Sequence, residues 1–316
     1  MAISIGWQRL MISAATSPWM KRAMTTAGNL LRVGRRFAGR SSVAEAVAVA
    51  RELRARGLRV SLFHLGEYAR DAATVEDTVQ QTIAAARALG EAGLDAHVSI
   101  DPTSLGSLFD EKLGRDNARR IGEAVLAAGG GELDCLMLDM EDYSMLERTL
   151  ALELELALHD VPVGVTLQAY LRRTGADLAP IIHRSGHVLL VKGAFAEREP
   201  RAWEQRSAID ANYLALAGTM LAPELRDTEF YPAFGTHDER LIRAIQSLAR
   251  RNRWVPGTYE FEFLYGVRPK LARALVAEGE SVRLYLPFGT DWWPYVARRI
   301  GENPRYVRNL IPGFRH

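Results

Sequence analysis

The stretch DWWPYVARRIGENP (291–304) combines residue types that can bind a small organic acid. Tyr295, Arg298, Arg299 and Glu302 lie at i, i+3, i+4 and i+7, and this spacing places all four on one face of a helix. Two planar guanidinium groups suit a carboxylate, which each can hold through paired hydrogen bonds, and an aromatic ring can cover the ligand. The same spacing is also typical of a solvated face with an ordinary i,i+4 ion pair. This stretch alone leaves both interpretations open.

The elements that must position such a site alternate in type along the chain. Short apolar runs alternate with longer amphipathic ones, and several of the amphipathic runs end in Gly, as a helix C-cap does. The apolar runs, predicted as strands, are 59–64, 96–100, 133–139, 162–168, 187–192, 229–236, 258–264 and 282–287. The helix-like runs between them include 74–93, 118–130, 210–222, 239–251 and 268–279.

Eight strands alternating with helices over about 250 residues predict an α/β fold of the (βα)8 TIM-barrel type. A doubly wound sheet is the alternative. It is disfavoured because no predicted strand is followed by G-x-G-x-x-G. The glycine run at 129–131 follows a helix rather than a strand, which is typical of a cap and loop.

In such a barrel the functional residues lie at the carboxyl ends of the strands. Every predicted strand ends in at least one polar residue, so the sequence predicts a polar set around one mouth. Its members are His64, Glu67, Asp101, Asp139, Glu141, Gln168, Tyr170, Lys192, Thr236, His237, Glu262 and Tyr285.

Composition limits the class of protein and its surroundings. The net charge of +2 gives no reason to expect a nucleic acid partner. Cys135 is the single cysteine, so no disulfide can form within the chain, and a reducing, cytoplasmic location is expected. Its apolar surroundings, LDCLML, predict a buried core residue rather than a nucleophile.

The first 44 residues carry seven basic side chains and no acidic one before Glu45. We interpret residues 1–45 as a basic helical segment that packs on or near the barrel, and residues 46–316 as the barrel domain. The alternative is a membrane-surface helix or targeting segment, which would place the protein at the periphery of the inner membrane. No apolar run approaches the roughly 18 residues needed to span a bilayer.

Eight motifs, in order, resemble the proline dehydrogenase family over about residues 35–310. They are LGE (65–67), DMED (139–142), LQAYLRRT (167–174), LVKGA (190–194), DANYL (210–214), THDERLI (236–242), YEFEFLYGVRPKLARALVAEG (259–279), and RLYLPFG followed by YVARRIGEN. The resemblance implies a distorted (βα)8 barrel with FAD at the carboxyl ends of its strands. It also implies oxidation of L-proline, or a closely related cyclic amino acid, by hydride transfer to FAD. On this resemblance the expected product is an imine of the pyrroline-5-carboxylate type, and the expected electron acceptor is a membrane quinone or another carrier.

The same resemblance assigns expected roles to individual residues. Arg298 and Arg299 match the pair that binds the substrate carboxylate, and Glu67 matches a gate that pairs with an arginine of the last helix. Tyr295, Tyr285 and Leu264 match the walls around the proline ring. The expected catalytic residues are Asp139, Asp101 and Tyr285. The expected FAD contacts are Met140, Gln168, Val191, Lys192, Gly193, Ala194, Thr236, His237 and Glu302.

Three departures from the family pattern concern the redox end of the site. Asp101 stands where the family has lysine, Leu189 where it has the arginine near flavin N5, and Phe63 with His64 where it has an aspartate. Phe195 also replaces a tyrosine. Two alternatives therefore stay open. One is acid/base or metal-assisted chemistry through Asp101 and Asp139, with His64, and no flavin turnover. The other is a barrel that binds amino acids without catalysis.

Overall fold

The computed structural model of the 316-residue chain describes residues 40–66, 71–184, 186–195, 197–293 and 295–297. Within these ranges eight parallel strands pair in chain order, and the first also pairs with the last. The sheet is therefore closed, which confirms the predicted (βα)8 barrel and excludes the doubly wound alternative. The strands are β1 (Arg59–His64), β2 (His97–Ile100), β3 (Cys135–Leu138), β4 (Val163–Gln168), β5 (His187–Val191), β6 (Tyr231–Gly235), β7 (Glu260–Leu264) and β8 (Val282–Phe288).

All eight predicted strands are present, although most are one to three residues shorter than their apolar runs. The predicted strand at 133–139, for example, becomes Cys135–Leu138. Asp134 is excluded because its carboxylate accepts hydrogen bonds from the backbone N–H groups of Ala96 (2.6 Å) and Gly130 (3.2 Å), so it closes a loop instead of extending the ladder.

Helices cover the outside of the barrel, and several begin at a capping side chain. The described helices are α1 (Val43–Arg54), α2 (Ala72–Glu91), α3 (Glu111–Ala128), α4 (Leu146–Ala157), α5 (Thr174–His183), α6 (Arg206–Met220), α7 (Glu239–Arg251) and α8 (Pro269–Ala277). Ser42, Asp71, Asp110 and Asp238 cap α1, α2, α3 and α7 by accepting a backbone N–H.

Two sequence-based boundaries shift in the structure. The helix predicted at 118–130 begins earlier, at Glu111, because Asp110 accepts the N–H of Lys112 at 2.8 Å and starts it there. The proposed domain boundary between residues 45 and 46 falls inside α1, whose buried side chains include Val47, Ala50 and Leu53. Residues 1–39 lie outside the described residues, so the basic segment remains a prediction.

The barrel interior is polar at the end where the strands begin. Arg283, fully buried in β8, donates to Glu260 at 2.6 Å, to Asp95 at 3.0 Å and to the carbonyl of Val60 at 2.9 Å. Burial alone would lower the pKa of this guanidinium, but Glu260 and Asp95 together hold it above its ordinary value. The apolar core lies mainly between the strands and the surrounding helices.

Of the helices in the described ranges, none has both the length and the apolar character needed to cross a membrane.

Candidate active site

Three strands bring the predicted catalytic residues together at the mouth. Asp139 follows β3 directly, and its backbone N–H donates to Ile100, the last residue of β2, so Asp101 and Asp139 lie at neighbouring strand ends as predicted. The hydroxyl of Tyr285, from β8, donates to Asp139 Oδ2 at 2.7 Å, and Thr166 donates to Oδ1 at 3.2 Å. The Asp139 carboxylate is thus fixed from both sides by hydroxyl groups.

Tyr285 stays protonated in this setting. The side chain is 9% exposed, and burial raises the pKa of its phenol well above the ordinary value. The charges of Asp139 and Asp101 raise it further, because a phenolate beside two carboxylates would be repelled. The hydroxyl is therefore a permanent hydrogen-bond donor to Asp139 at any physiological pH.

Glu262 differs from its predicted position at the mouth. It lies two residues before the end of β7 and is 6% exposed, inside the barrel. Burial raises the pKa of its carboxyl well above the usual range, and the charges of Glu260 and Asp139 add to the rise, while Arg283 opposes it. Glu262 is therefore a buried side chain inside the barrel, where its surroundings favour the protonated form, rather than an exposed strand end.

Apolar side chains form a wall beside the Asp139–Tyr285 pair. Tyr295, Tyr285 and Leu264, which the sequence predicts to enclose a ring, meet in one cluster with Phe63, Leu65, Val267, Trp292, Trp293, Val296 and Ala297. Phe63, at one of the departing positions, stacks on Tyr285 with ring centroids 5.3 Å apart. Arg298, Arg299, Glu67 and Glu302 lie outside the described residues, so their roles remain predictions.

Gln168, at the end of β4, has a buried acceptor atom that no described residue satisfies. Its amide Nε2 donates to the carbonyls of Met140 (3.1 Å) and Glu141 (3.2 Å), which fixes the orientation of the side chain. Its Oε1 is buried and has no hydrogen-bond partner among the described residues. A buried carbonyl oxygen without a donor is costly, so this atom suits an N–H group of a bound ligand.

Lys192, just after β5, belongs to a network of opposite charges rather than standing alone. Its Nζ lies 2.6 Å from Asp210 and 3.5 Å from Asp238. Arg240 also contacts Asp210 (2.6 Å), and Arg206 contacts Asp238 (3.4 Å). Three cations and two anions leave one excess positive charge at this part of the rim, which favours an anionic ligand group.

Gly193, the residue after Lys192, has a backbone conformation that residues other than glycine rarely adopt. Its φ is +106°, and a Cβ there would lie 2.1 Å from the ring of Tyr170. We expect Gly193→Ala to lower the free energy of unfolding by at least about 2 kcal/mol, through backbone strain and overpacking. Chemical denaturation measures this change.

Gly218→Ala is the matched control for that substitution. Gly218 lies inside α6, and nothing is within 4 Å of the Cβ it would gain. Alanine there should leave stability unchanged or raise it by up to about 1 kcal/mol. If Gly193→Ala were as well tolerated as Gly218→Ala, the close approach of the backbone to Tyr170 would not constrain this loop.

Thr236 and His237 connect β6 to its neighbours. Thr236 is buried, and its hydroxyl accepts the N–H of Asp238 at 3.2 Å. His237 Nε2 accepts the N–H of Leu264 at 3.0 Å, which ties the mouth ends of β6 and β7 together. Asp238 is the cap of α7, so His237 does not cap that helix.

At the departing positions the described residues show apolar packing and one buried imidazole. Leu189 packs with Cys135, Met137, Ala233 and Val191 in an apolar cluster inside the barrel. In the described part of the chain, His64, Asp101 and Asp139 do not converge as a set of metal ligands. The described residues therefore give no support to a metal site formed by these three side chains, and the Asp101–Asp139 alternative stays a prediction. Burial lowers the pKa of His64, so its imidazole is neutral at physiological pH.

Comparisons with known proteins agree with this geometry. A family model described as proline dehydrogenase matches residues 46–309. Proline dehydrogenase 2 of Bacillus subtilis (strain 168) is 32% identical over 263 residues, which are 83% of this chain and 84% of the relative. The proline dehydrogenase of Deinococcus radiodurans is 33% identical over 287 residues, which are 88% of each.

Solved structures share the fold. Proline utilization A from Bdellovibrio bacteriovorus, inactivated by N-propargylglycine, superposes with a TM-score of 0.79 at 22% identity. Proline utilization A from Corynebacterium freiburgense does so with a TM-score of 0.74 at 21% identity. The matches cover 98% and 96% of this chain, but only 38% and 34% of those longer proteins.

Proposed function

Because this chain belongs to the proline dehydrogenase family, we propose that it oxidises L-proline to pyrroline-5-carboxylate, with FAD as the hydride acceptor. The observation that carries the proposal is the Asp139–Tyr285 hydrogen bond beside the aromatic wall at the barrel mouth. Proline has three recognisable features: an amine, an apolar ring and a carboxylate. The fixed Asp139 anion can bind the amine, and the apolar wall can pack against the ring.

The third feature, the carboxylate, is assigned to Arg298 and Arg299. Both follow Tyr295 at helical spacing, and guanidinium pairs bind carboxylates bidentately. Glu67 is the proposed gate partner of one of them. The ring packs against Leu264, Tyr285 and Tyr295. The amine must lose its proton before the adjacent C–H bond can break, and Asp139 or Asp101 accepts that proton.

The described residues also fit FAD. When bound, FAD accepts the hydride that leaves the substrate. The unpartnered Oε1 of Gln168 suits an N–H of the flavin ring, and the excess positive charge around Lys192 suits the diphosphate. Gly193, next to Lys192, has no side chain, so the backbone there can lie close to the diphosphate. The rest of the proposed contact set is Met140, Val191, Ala194, Thr236, His237 and Glu302.

The proposal extends to the electron acceptor. A reduced cofactor must pass on two electrons, and a membrane quinone is the acceptor we propose, with another carrier as the alternative. If the basic segment 1–45 is a membrane-surface helix rather than a helix packed on the barrel, its cations would bring the chain to an anionic membrane surface. Flotation with liposomes of anionic lipid, with and without these residues, tests this: flotation that does not depend on them contradicts it.

Turnover with an artificial dye as acceptor tests the activity. We expect the full-length protein to oxidise L-proline, with formation of the cyclic imine, which an aromatic aldehyde with an adjacent amino group traps as a coloured adduct. D-Proline and trans-4-hydroxy-L-proline should react more slowly, because the wall and the Tyr285 hydroxyl leave little room for other shapes. Binding of L-proline without turnover would instead favour the non-catalytic alternative, which Leu189 and Asp101 keep open.

Tyr285→Phe is expected to lower kcat/KM for L-proline by about tenfold, which corresponds to one lost hydrogen bond to a charged group. The same change should raise the relative rate with trans-4-hydroxy-L-proline, because the pocket gains the volume of a hydroxyl. Steady-state kinetics with both substrates measures the two effects.

Tyr259→Phe is the control for this prediction. Tyr259 is also buried and also donates to a carboxylate, Glu280, at 2.7 Å, but it lies at the opposite end of the barrel from the mouth. The Tyr259→Phe substitution should leave the rates with L-proline and with trans-4-hydroxy-L-proline near the wild-type values. Equal losses in the two variants would mean that the Tyr285 hydroxyl contributes only to stability.

A further inference from the structure

Three metal-binding side chains meet inside the barrel, below the candidate active site. His97 and Cys135 are register partners on β2 and β3, and His187 begins β5. Each offers one ligand atom, and the three atoms lie within 4.8 Å of one another. All three residues are at least nine-tenths buried. Neither the family resemblance nor the proposed reaction uses them.

The two imidazoles have unused nitrogen atoms. Nε2 of His97 and both ring nitrogens of His187 have no hydrogen-bond partner among the described residues. Buried polar nitrogens of this kind are rare in folded proteins, and each costs free energy unless a ligand, ion or water satisfies it. His97 Nδ1 lies 3.0 Å from the hydroxyl of Ser61, the kind of outer contact that orients a metal-bound histidine.

Gly164 on β4 provides the space in which the cluster forms. It is the register partner of both Met137 and His187. A Cβ at Gly164 would lie 3.1 Å from Cys135 Sγ and 3.1 Å from His187 Cβ. The missing side chain therefore opens the interior between the thiol and the second imidazole, which are contributed by strands on either side of β4.

The protonation states suit a metal ion. Burial lowers the pKa of His97 well below its ordinary value and that of His187 to about 3, with Arg283 contributing to both shifts. Both imidazoles are therefore neutral and offer lone pairs. Burial raises the pKa of the Cys135 thiol, an effect that Arg283 opposes and that Glu260 and Glu262 reinforce. A dication would displace the thiol proton, as in other thiolate sites.

We propose that His97, Cys135 and His187 form a Zn²⁺ site inside the barrel. Two imidazoles and a thiolate are ligands that zinc prefers, and a water completes the tetrahedron. Zinc ligands at about 2.0–2.3 Å lie roughly 3.3–3.8 Å apart, so the three side chains close by about 1 Å around the ion. The Cys135 thiolate balances one of the two charges of the ion, and the carboxylates of Glu260 and Asp95 lie against the guanidinium of Arg283. The site joins β2, β3 and β5, the strands that supply its three protein ligands.

Metal analysis of the full-length protein, expressed with added zinc and purified without chelator, tests the proposal. We expect about one zinc per chain in the wild type and below about 0.1 in Cys135→Ala. Gly164→Ala keeps all three ligands but fills the space between them, and it should also lose the ion. His159→Asn, which changes an exposed histidine whose ring bonds the carbonyl of Glu155, should retain it. Circular dichroism verifies that each variant is folded.

Replacing zinc by cobalt in the wild-type protein gives a test that does not need the core variants, which is useful if those variants do not fold. Wild-type protein loaded with Co²⁺ should show an intense thiolate-to-cobalt absorption band in the near ultraviolet. Wild-type protein without zinc or that band, zinc retained by folded Cys135→Ala, or copper in place of zinc would each overturn the proposal. None of these measurements depends on proline turnover, so their failure leaves the proposed reaction untouched.

Discussion

Arg298→Ala and Arg299→Ala should each lower kcat/KM for L-proline by about 30- to 5,000-fold. Removing one member of a buried, hydrogen-bonded charge pair costs about 2–5 kcal/mol, because the other charge stays buried and unpaired. In these variants the unpaired charge would be the substrate carboxylate. The loss should fall largely on KM, because the carboxylate is held similarly in the ground state and the transition state. Lysine at either position should recover only part of it, since an ammonium group lacks the planar fork.

Two controls separate a carboxylate clamp from a structural role. Arg251→Ala, at the exposed end of α7, should leave the kinetics unchanged. Pyrrolidine, the same ring without the carboxylate, should react slowly with the wild type and equally slowly with the arginine variants. If the variants lost activity towards pyrrolidine and L-proline in the same proportion, the arginines would act by some means other than binding the carboxylate.

Arg283→Met should lower the free energy of unfolding by about 3–5 kcal/mol. The substitution keeps most of the volume but leaves the carboxylate of Glu260, which is fully buried, without its cation. Breaking a buried pair by removing one partner is destabilising because an uncompensated charge remains. Asp95 is affected less, since the backbone N–H groups of Glu132 and Leu133 also donate to it. Denaturant titration measures the change.

The double variant Arg283→Met with Glu260→Leu distinguishes the charge from the packing. With both charges gone, stability should return to within about 1–2 kcal/mol of the wild type, because an apolar pair can replace a buried ion pair. A double variant as unstable as the single one would show that shape, rather than the unpaired carboxylate, accounts for the loss.

The strands could be predicted because parallel strands buried on both faces are continuous apolar runs. The run at 187–192, for example, is HVLLVK, and its first five residues form β5. Once the strands are predicted, the residues at the mouth can be predicted too, because a closed parallel barrel has the carboxyl ends of all its strands at one rim. That reasoning correctly placed Asp101 beside Asp139. It failed for Glu262, since it could not tell which side chains point into the barrel.

The polar interior of the barrel could not be predicted in the same way. His97, Cys135 and His187 come from three strands and share no local motif, and Arg283 pairs with Asp95 across 188 positions. A signal was nevertheless present. Alternate residues in a strand face the same side, and the polar residues His97 and Ser99 stand two apart in β2. The Lys192–Asp210–Asp238 network likewise depends on contacts between elements that are distant in sequence.

Anaerobic titration of the purified, FAD-supplemented protein with L-proline tests the central claim most directly. We predict a visible flavin band that remains with the protein through gel filtration and that L-proline bleaches far faster than D-proline does. Bleaching requires the substrate, the barrel site and the cofactor together, and no external acceptor enters the measurement. A protein that retains no flavin, or whose flavin band is unchanged by saturating L-proline, would contradict the account.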